Sequence, residues 1–292
     1  MKHSRAGWWF SLPALLLIAL FFLAPVVAAL FLSFTDFDLY ALADPANLRV
    51  VGLQNYRTLL AAPMFWKALG NTAVFVVLGV PLSLLASLSM ALLLDSHLAR
   101  FKPLFRTALF APVVTTLVAV ALIWRYLLHT RYGLLNDLLT HLGIKPIDWL
   151  GDPHWSMPSI VLLAVWKNFG YNMIILLAAL QAIPEDLYEA ARLEGATVWG
   201  QLRHITLPLL TPTLSLVGIL TVSGYFQLFA EPYVMTQGGP LQSTVSVLYF
   251  MFEQGFTWWR LGFASSIAFV LFALILVFTV LQMRLTRNVG QT

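Results

Sequence analysis

Charged side chains in this chain are clustered, and the clusters are separated by long uncharged, apolar intervals, a spacing that excludes nearly every water-soluble fold. A helix needs roughly 20 apolar residues to cross the hydrocarbon core, so each interval is a candidate span. Residues 6–35, 68–94 and 107–124 carry no charge at all. Residues 157–181 are apolar enough to cross but enclose Lys167, and 206–230 and 261–283 complete the set. Only 10% of the residues are charged, against about a quarter in a typical soluble domain, so there are too few polar groups to cover a globule. The spacing therefore predicts an all-α membrane protein with six transmembrane helices.

One further uncharged stretch, 232–252, is interrupted by Gln237-Gly238-Gly239-Pro240 and Gln242-Ser243-Thr244. Its remaining apolar run, 245–252, is too short to cross and reads as a loop ending in a short interfacial or re-entrant piece. Six crossings put both termini on one side. Lys2, Arg5, Arg100, Lys102, Arg106, Arg192, Arg203, Arg284 and Arg287 fall in the shorter loops on that side. Arg49, Arg57, Arg131, Lys145 and Arg260, with Lys67 and Arg125 at the membrane edge, are spread over longer loops opposite. The preference of Lys and Arg for the inner face then predicts cytoplasmic N- and C-termini. Trp8-Trp9, Trp66, Trp124, Trp155 and Trp258-Trp259 suit interfacial belts. The first interval is too long for a signal-peptide core. With no cysteine, disulfides and thiolate metal sites are excluded.

The segment between the fourth and fifth intervals, about 182–208, is the most specified of the loops. Pro184 suits a first helical position, Glu185 and Asp186 complement a positive helix end, and Gly195 is placed to stop the helix. Residues 198–204 read as a second short helix, joined to the fifth span through Ile205-Thr206-Leu207-Pro208. Glu189-Ala190-Ala191, then Gly195, Ile205 and Leu207-Pro208 at their observed spacing, resemble the EAA loop of permease subunits of binding-protein-dependent ABC importers. Further segments resemble the carbohydrate-uptake group of that family. These are Val51-Gly52-Leu53-Gln54-Asn55-Tyr56, Ala68-Leu69-Gly70-Asn71-Thr72, Gly133-Leu134-Leu135-Asn136 and Glu231-Pro232-Tyr233 followed by Thr236-Gln237-Gly238-Gly239-Pro240.

The resemblance implies the type I ABC importer permease fold and transport of a sugar or polyol across an inner membrane, with glycerol phosphate as the alternative solute. It implies that Glu185, Glu189, Ala190, Ala191, Arg192, Glu194 and Gly195 form a coupling helix seated on a cytoplasmic ATPase subunit. The bland reading of the same residues is a solvated amphipathic loop in which Glu189 and Arg192 pair for a few tenths of a kcal/mol. The resemblance further implies an assembly with a second permease, two ATPases that bind ATP and Mg, and an external solute-binding protein, within membrane lipid and without nucleic acid. It divides the chain into an N-terminal helix and external loop (1–66), a permease core (67–284) and a tail (285–292).

Polar groups inside spans are costly and are default pathway candidates, with helix packing the competing explanation. Lys167, Asn168, Tyr171 and Asn172 share a face of the fourth span by helical spacing. Thr221, Gly224, Tyr225 and Leu228 form a stripe on the fifth, with Gln227 beside it. Amides, hydroxyls and aromatic faces are what a sugar requires. In the family, the midplane solute site is built from these two helices. Lys167 also reads as a counter-ion for Glu231 or for an anionic solute. Pro13, Pro25, Pro81, Pro112 and Pro212 are expected to kink helices.

No Gly-x-x-x-x-Gly-Lys-Ser/Thr loop is present, so this chain is not expected to hydrolyse nucleotide itself. A self-sufficient secondary transporter is disfavoured because all Asp and Glu lie outside the intervals and no duplicated half is evident. An intramembrane enzyme is disfavoured because His3, His97, His129, His141, His154 and His204 fall in loops or at span ends, without metal-ligand spacing.

Overall fold

The structure is a computed structural model that describes residues 5–96 and 100–289, with side chains described for 10–44, 46–96 and 100–284. Lys2, His3 and His97, and the side chains of Arg5, Trp8, Trp9 and Arg287, lie outside the described residues. The helices that matter for the site are α1 (Phe10–Leu32), α2 (Pro63–Asp95), α3 (Lys102–Val114), α4 (Leu117–Leu127), α5 (Pro153–Gln181), α6 (Glu185–Leu193), α7 (Val198–Phe226), α8 (Ala230–Met235), α9 (Val247–Phe252) and α10 (Leu261–Val289). On length and composition, α1, α2, α5, α7 and α10 can each cross a membrane, and α3 with α4 makes a sixth crossing bent by 99°.

That bend lies within the third span expected over 107–124, just after Pro112, one of the prolines expected to kink a helix. Pro112 has no N–H to return to the preceding turn, and Thr115 and Thr116 then adopt extended conformations (ψ 150° and 133°). Helix ends leave their last carbonyls without intrahelical partners, which is costly at membrane depth. Here the Thr115 hydroxyl donates to the Pro112 carbonyl at 2.6 Å. Lys167 Nζ, from α5, donates to the carbonyls of Pro112 and Val113 at 3.3 and 3.4 Å. A positive charge at the carbonyl end of a helix also opposes the negative pole of its dipole.

Two expectations are revised. Residues 198–204 do not form a separate helix. They are the first turns of α7, which runs without a joint from Val198 to Phe226 through a π turn at Leu202–Thr206. The Pro208 ring would crowd the His204 carbonyl in a regular α-helix, and the widened turn gives it room. At its C-terminal end α7 stops at Phe226, so Gln227 leaves the helix and Glu231 sits on the separate α8. The apolar run at 245–252 makes only the six-residue α9. Of the five prolines expected to kink helices, Pro112 precedes the break, whereas Pro13, Pro81 and Pro212 lie inside helices that continue past them.

The described chain divides into two compact units, residues 1–66 with 250–273 and residues 67–249 with 274–292. In the first, the connection after α1 folds back on itself. Asn55 Nδ2 donates to the Ser33 and Thr35 carbonyls at 2.9 and 2.8 Å, and the Tyr56 hydroxyl meets Ser33 Oγ at 2.8 Å. In the second unit, α2, α5 and α7 enclose two apolar clusters, one around Met157, Ile160 and Leu163 and one around Met173, Leu176 and Leu210. Ser87 of α2 donates to the Phe169 carbonyl of α5 at 2.9 Å. At Gly170 a Cβ would lie 2.4 Å from the Leu109 carbonyl oxygen, so only glycine lets α5 approach α3 this closely. The loop before α9 is fastened by Asn71 Nδ2, which donates to the Gln242 and Val245 carbonyls, both at 2.9 Å. Buried Asn136 uses both ends of its amide, donating to the Thr130 and Ile147 carbonyls and accepting from Ile147 N–H and Trp149 Nε1–H.

Lys167→Met removes the ammonium from the end of α3 and leaves the Val113 carbonyl without that donor. Thermal melts of the solubilised protein, followed by circular dichroism, should show a loss of about 1–3 kcal/mol. Lys167→Arg should recover part of it.

Candidate functional site

A cavity of about 520 Å³ opens between α5 and α7, within the range of small-ligand sites. From α5 it is lined by Asn168, Tyr171 and Asn172, and from α7 by Thr221, Gly224 and Tyr225. Gln227, Leu228 and Glu231 close one side, while Phe75 of α2, Val113 of α3 and Leu117 of α4 supply apolar walls. Eight of the nine residues singled out in the sequence as path candidates thus meet in one space. Lys167 is not among the lining residues, because its side chain turns to the break between α3 and α4.

The polar groups are held in defined orientations. Asn172 Nδ2 donates to Thr221 Oγ1 at 2.9 Å, which bridges α5 and α7, and Thr221 in turn donates to the Val217 carbonyl at 2.7 Å. Asn168 Nδ2 donates to the Ala164 carbonyl and Gln227 Nε2 to the Ser223 carbonyl. In each case the amide oxygen and the second N–H are left over for a ligand. Tyr225 stacks on Phe75 with ring centroids 4.9 Å apart and lies flush against Gly79, where a Cβ would come within 2.3 Å of its ring. Its hydroxyl is buried beside that of Ser83, neither in a well-formed hydrogen bond. The Tyr171 ring is half exposed and presents an aromatic face.

Glu231 is the one charged residue of the lining. Burial pushes its carboxyl above the usual carboxylate range, while its own backbone N–H and the positive charge of Lys167 pull it back. Arg125 of α4 holds the other end of α8 by donating to the Val234 carbonyl at 3.2 Å. Phe75, Val113 and Leu117 carried no sequence signal, since an apolar residue in an apolar span is unmarked. Glu231 did carry one, being the acidic residue just beyond the fifth span.

The segment expected to couple, α6 and its flanks, is built as a capped, exposed helix. Pro184 stands just before α6 with ψ 133° rather than in its first turn, and Glu185 and Asp186 occupy that turn. At the far end Gly195 has φ +84°, with its N–H bonded to the Arg192 carbonyl and the next N–H, of Ala196, to Ala191. That is the double-bonded left-handed cap that glycine permits. Arg192 pairs with Glu185 at 3.6 Å rather than with Glu189, and both side chains are more than half exposed, so the pair contributes little stability. Glu189, Ala190 and Glu194 face solvent, as do Leu193, Val198 and Trp199, with Leu193 90% exposed. Ala191 is half-buried, and the Tyr188 hydroxyl meets Thr206 Oγ1 of the π turn at 2.9 Å.

Comparison with known proteins places this geometry in a family. Residues 3–291 match the model of the binding-protein-dependent transport system inner membrane component. The lactose transport system permease protein LacF of Rhizobium radiobacter is 35% identical over 287 residues, covering 97% of this chain and 94% of that protein. The arabinooligosaccharides transport system permease protein AraP of Bacillus subtilis (strain 168) is 32% identical, covering 98% and 90%. A chain in the crystal structure of a bacterial alginate ABC transporter, in complex with an alginate pentasaccharide-bound periplasmic protein, shares the fold with a TM-score of 0.85 at 20% identity, covering 100% of this chain and 97% of that one. This chain belongs to the family of inner membrane components of binding-protein-dependent transport systems, and it has the type I importer permease fold.

Proposed function

We propose that this chain is a membrane-spanning subunit of an ATP-driven importer and carries a sugar or related polyol across the inner membrane by alternating access. The observation that carries the reading is the cavity between α5 and α7, walled by amides, a hydroxyl and aromatic faces. Asn168, Asn172, Gln227 and Thr221 suit the hydroxyls of a sugar, and the Tyr171 ring suits its C–H face. The permeases of the lactose and arabinooligosaccharide systems are carbohydrate transporters by name, which supports the same solute class here. A glycerol phosphate importer finds less support, because the Lys167 ammonium that would serve the anion is engaged at the helix break.

In this reading both termini are cytoplasmic and α6 seats on one of two ATPase subunits, which bind ATP and Mg. A second permease and an external solute-binding protein complete the assembly. α6 follows α5 after three residues and precedes α7 by four, so a displacement of α6 is delivered to both walls of the cavity at once. The Tyr188–Thr206 contact ties α6 directly to the base of α7.

Vesicles containing the whole assembly should accumulate the solute only with ATP and binding protein present, and accumulation by this chain alone would overturn the reading. Asn172→Ala and Thr221→Val should each lower uptake at least about tenfold, equivalent to one lost ligand hydrogen bond of about 1.4 kcal/mol, while the assembly still purifies intact. Gly195→Leu forces a branched residue into the left-handed region at about 1–2 kcal/mol. ATP hydrolysis should then persist while transport falls, as measured by the ratio of solute moved to phosphate released.

A further inference from the structure

The cavity has an asymmetry that sugar binding alone does not require. Its neutral polar groups come from α5, α7 and Gln227, whereas its one ionisable group, Glu231, enters from α8, where burial opposes the ionised carboxylate and its own backbone N–H and the charge of Lys167 favour it. Nothing in the lining balances the charge of that carboxylate. The nearest cation in the electrostatic sense, Lys167, spends its donors on the Pro112 and Val113 carbonyls and does not line the cavity. Among the described residues no other side chain donates a hydrogen bond to the Glu231 carboxyl, which leaves its oxygens available to whatever fills the space. α8 is not free to withdraw it. Arg125 grips the Val234 carbonyl, and the Thr236 hydroxyl donates back to the Pro232 carbonyl at 3.1 Å and meets Thr244 Oγ1 at 2.7 Å.

We propose that Glu231 is a specificity-determining residue, accepting hydrogen bonds from solute hydroxyls and excluding sugar acids and sugar phosphates from the cavity; this rests on the sugar reading above. A carboxylate suits this double task. It is acceptor-only when ionised, so a pair of neighbouring hydroxyls can donate to its two oxygens. A second anion within a few ångströms meets a like charge in a poorly solvated space, where the repulsion is several times stronger than in bulk water. The positive charge of Lys167 lies behind the wall, where it moderates Glu231 without offering an anion a partner of its own.

The test uses the purified assembly of this chain with its permease partner and ATPases, without the solute-binding protein, so that only the membrane site selects. Calorimetry measures binding of lactose, maltose and trehalose and of their uronate counterparts, in which one hydroxymethyl group is oxidised to a carboxylate. The unsubstituted assembly is expected to bind at least one neutral disaccharide and to bind its uronate counterpart at least about tenfold more weakly. Glu231→Gln, which keeps the shape and removes the charge, should narrow that difference to about threefold or less. Glu231→Asp, which keeps the charge, should retain the discrimination even where it weakens binding overall. Uronates binding the unsubstituted assembly as well as neutral sugars do, or full discrimination in the Gln variant, would overturn the proposal. Failure of the unsubstituted assembly to bind any of the six sugars would instead overturn the sugar reading on which it rests.

Discussion

The apolar pair α3 and α4 is broken between Val114 and Leu117, and one ammonium group from the neighbouring helix caps the break. Without a further donor, the Pro112 carbonyl would have only the Thr115 hydroxyl and the Val113 carbonyl would lose its partner. Lys167 supplies that donor, and the positive charge that would be expensive alone in a span is placed against the negative pole of a half-helix. Two costly features, an open helix end and an intramembrane cation, thus offset one another. The break allows Val113 of α3 and Leu117 of α4 to meet the same cavity from two directions, and it sends α4 outward to hold α8 through Arg125.

The walls of the cavity and the two helices that flank α6 are the same. α5 and α7 carry the cavity amides and hydroxyl, and α6 is strung between the end of α5 and the start of α7 by connections of three and four residues. The Asn172–Thr221 bond joins the walls to each other, and the Tyr188–Thr206 bond joins the connector to one of them. Such short connections and cross-links leave little slack between α5, α6 and α7.

Much of this was legible in the residues themselves, because a membrane imposes strong patterning. The six apolar intervals, the capped helix ending at Gly195 and the two polar stripes each leave a mark that survives without knowledge of the fold. What stayed hidden was decided by partners distant in sequence. Nothing local in Lys167 says whether it faces a solute or a broken helix, since the answer lies in carbonyls some 54 positions away. Pro112 announced a disturbance, but Pro13, Pro81 and Pro212 are chemically identical and sit in helices that continue. The outcome depended on the extended Thr115 and Thr116 and on the donor waiting there. The motif amides Asn55, Asn71 and Asn136 were legible only as marks of resemblance. Each proves to be a fastening for a loop, giving both of its N–H groups to backbone carbonyls.

The π turn at Leu202–Thr206 sets an angle. A helix advances about 100° per residue, so one residue accommodated in a widened turn rotates everything beyond it relative to everything before. On one side of that turn lie α6 and its connection, and on the other lie Thr221, Gly224 and Tyr225. In an unbroken α-helical register the stripe would point roughly a quarter-turn away from α5, and Thr221 could not meet Asn172. The wide turn therefore acts as a phase adjustment between the α6 end of this helix and the stripe that lines the cavity.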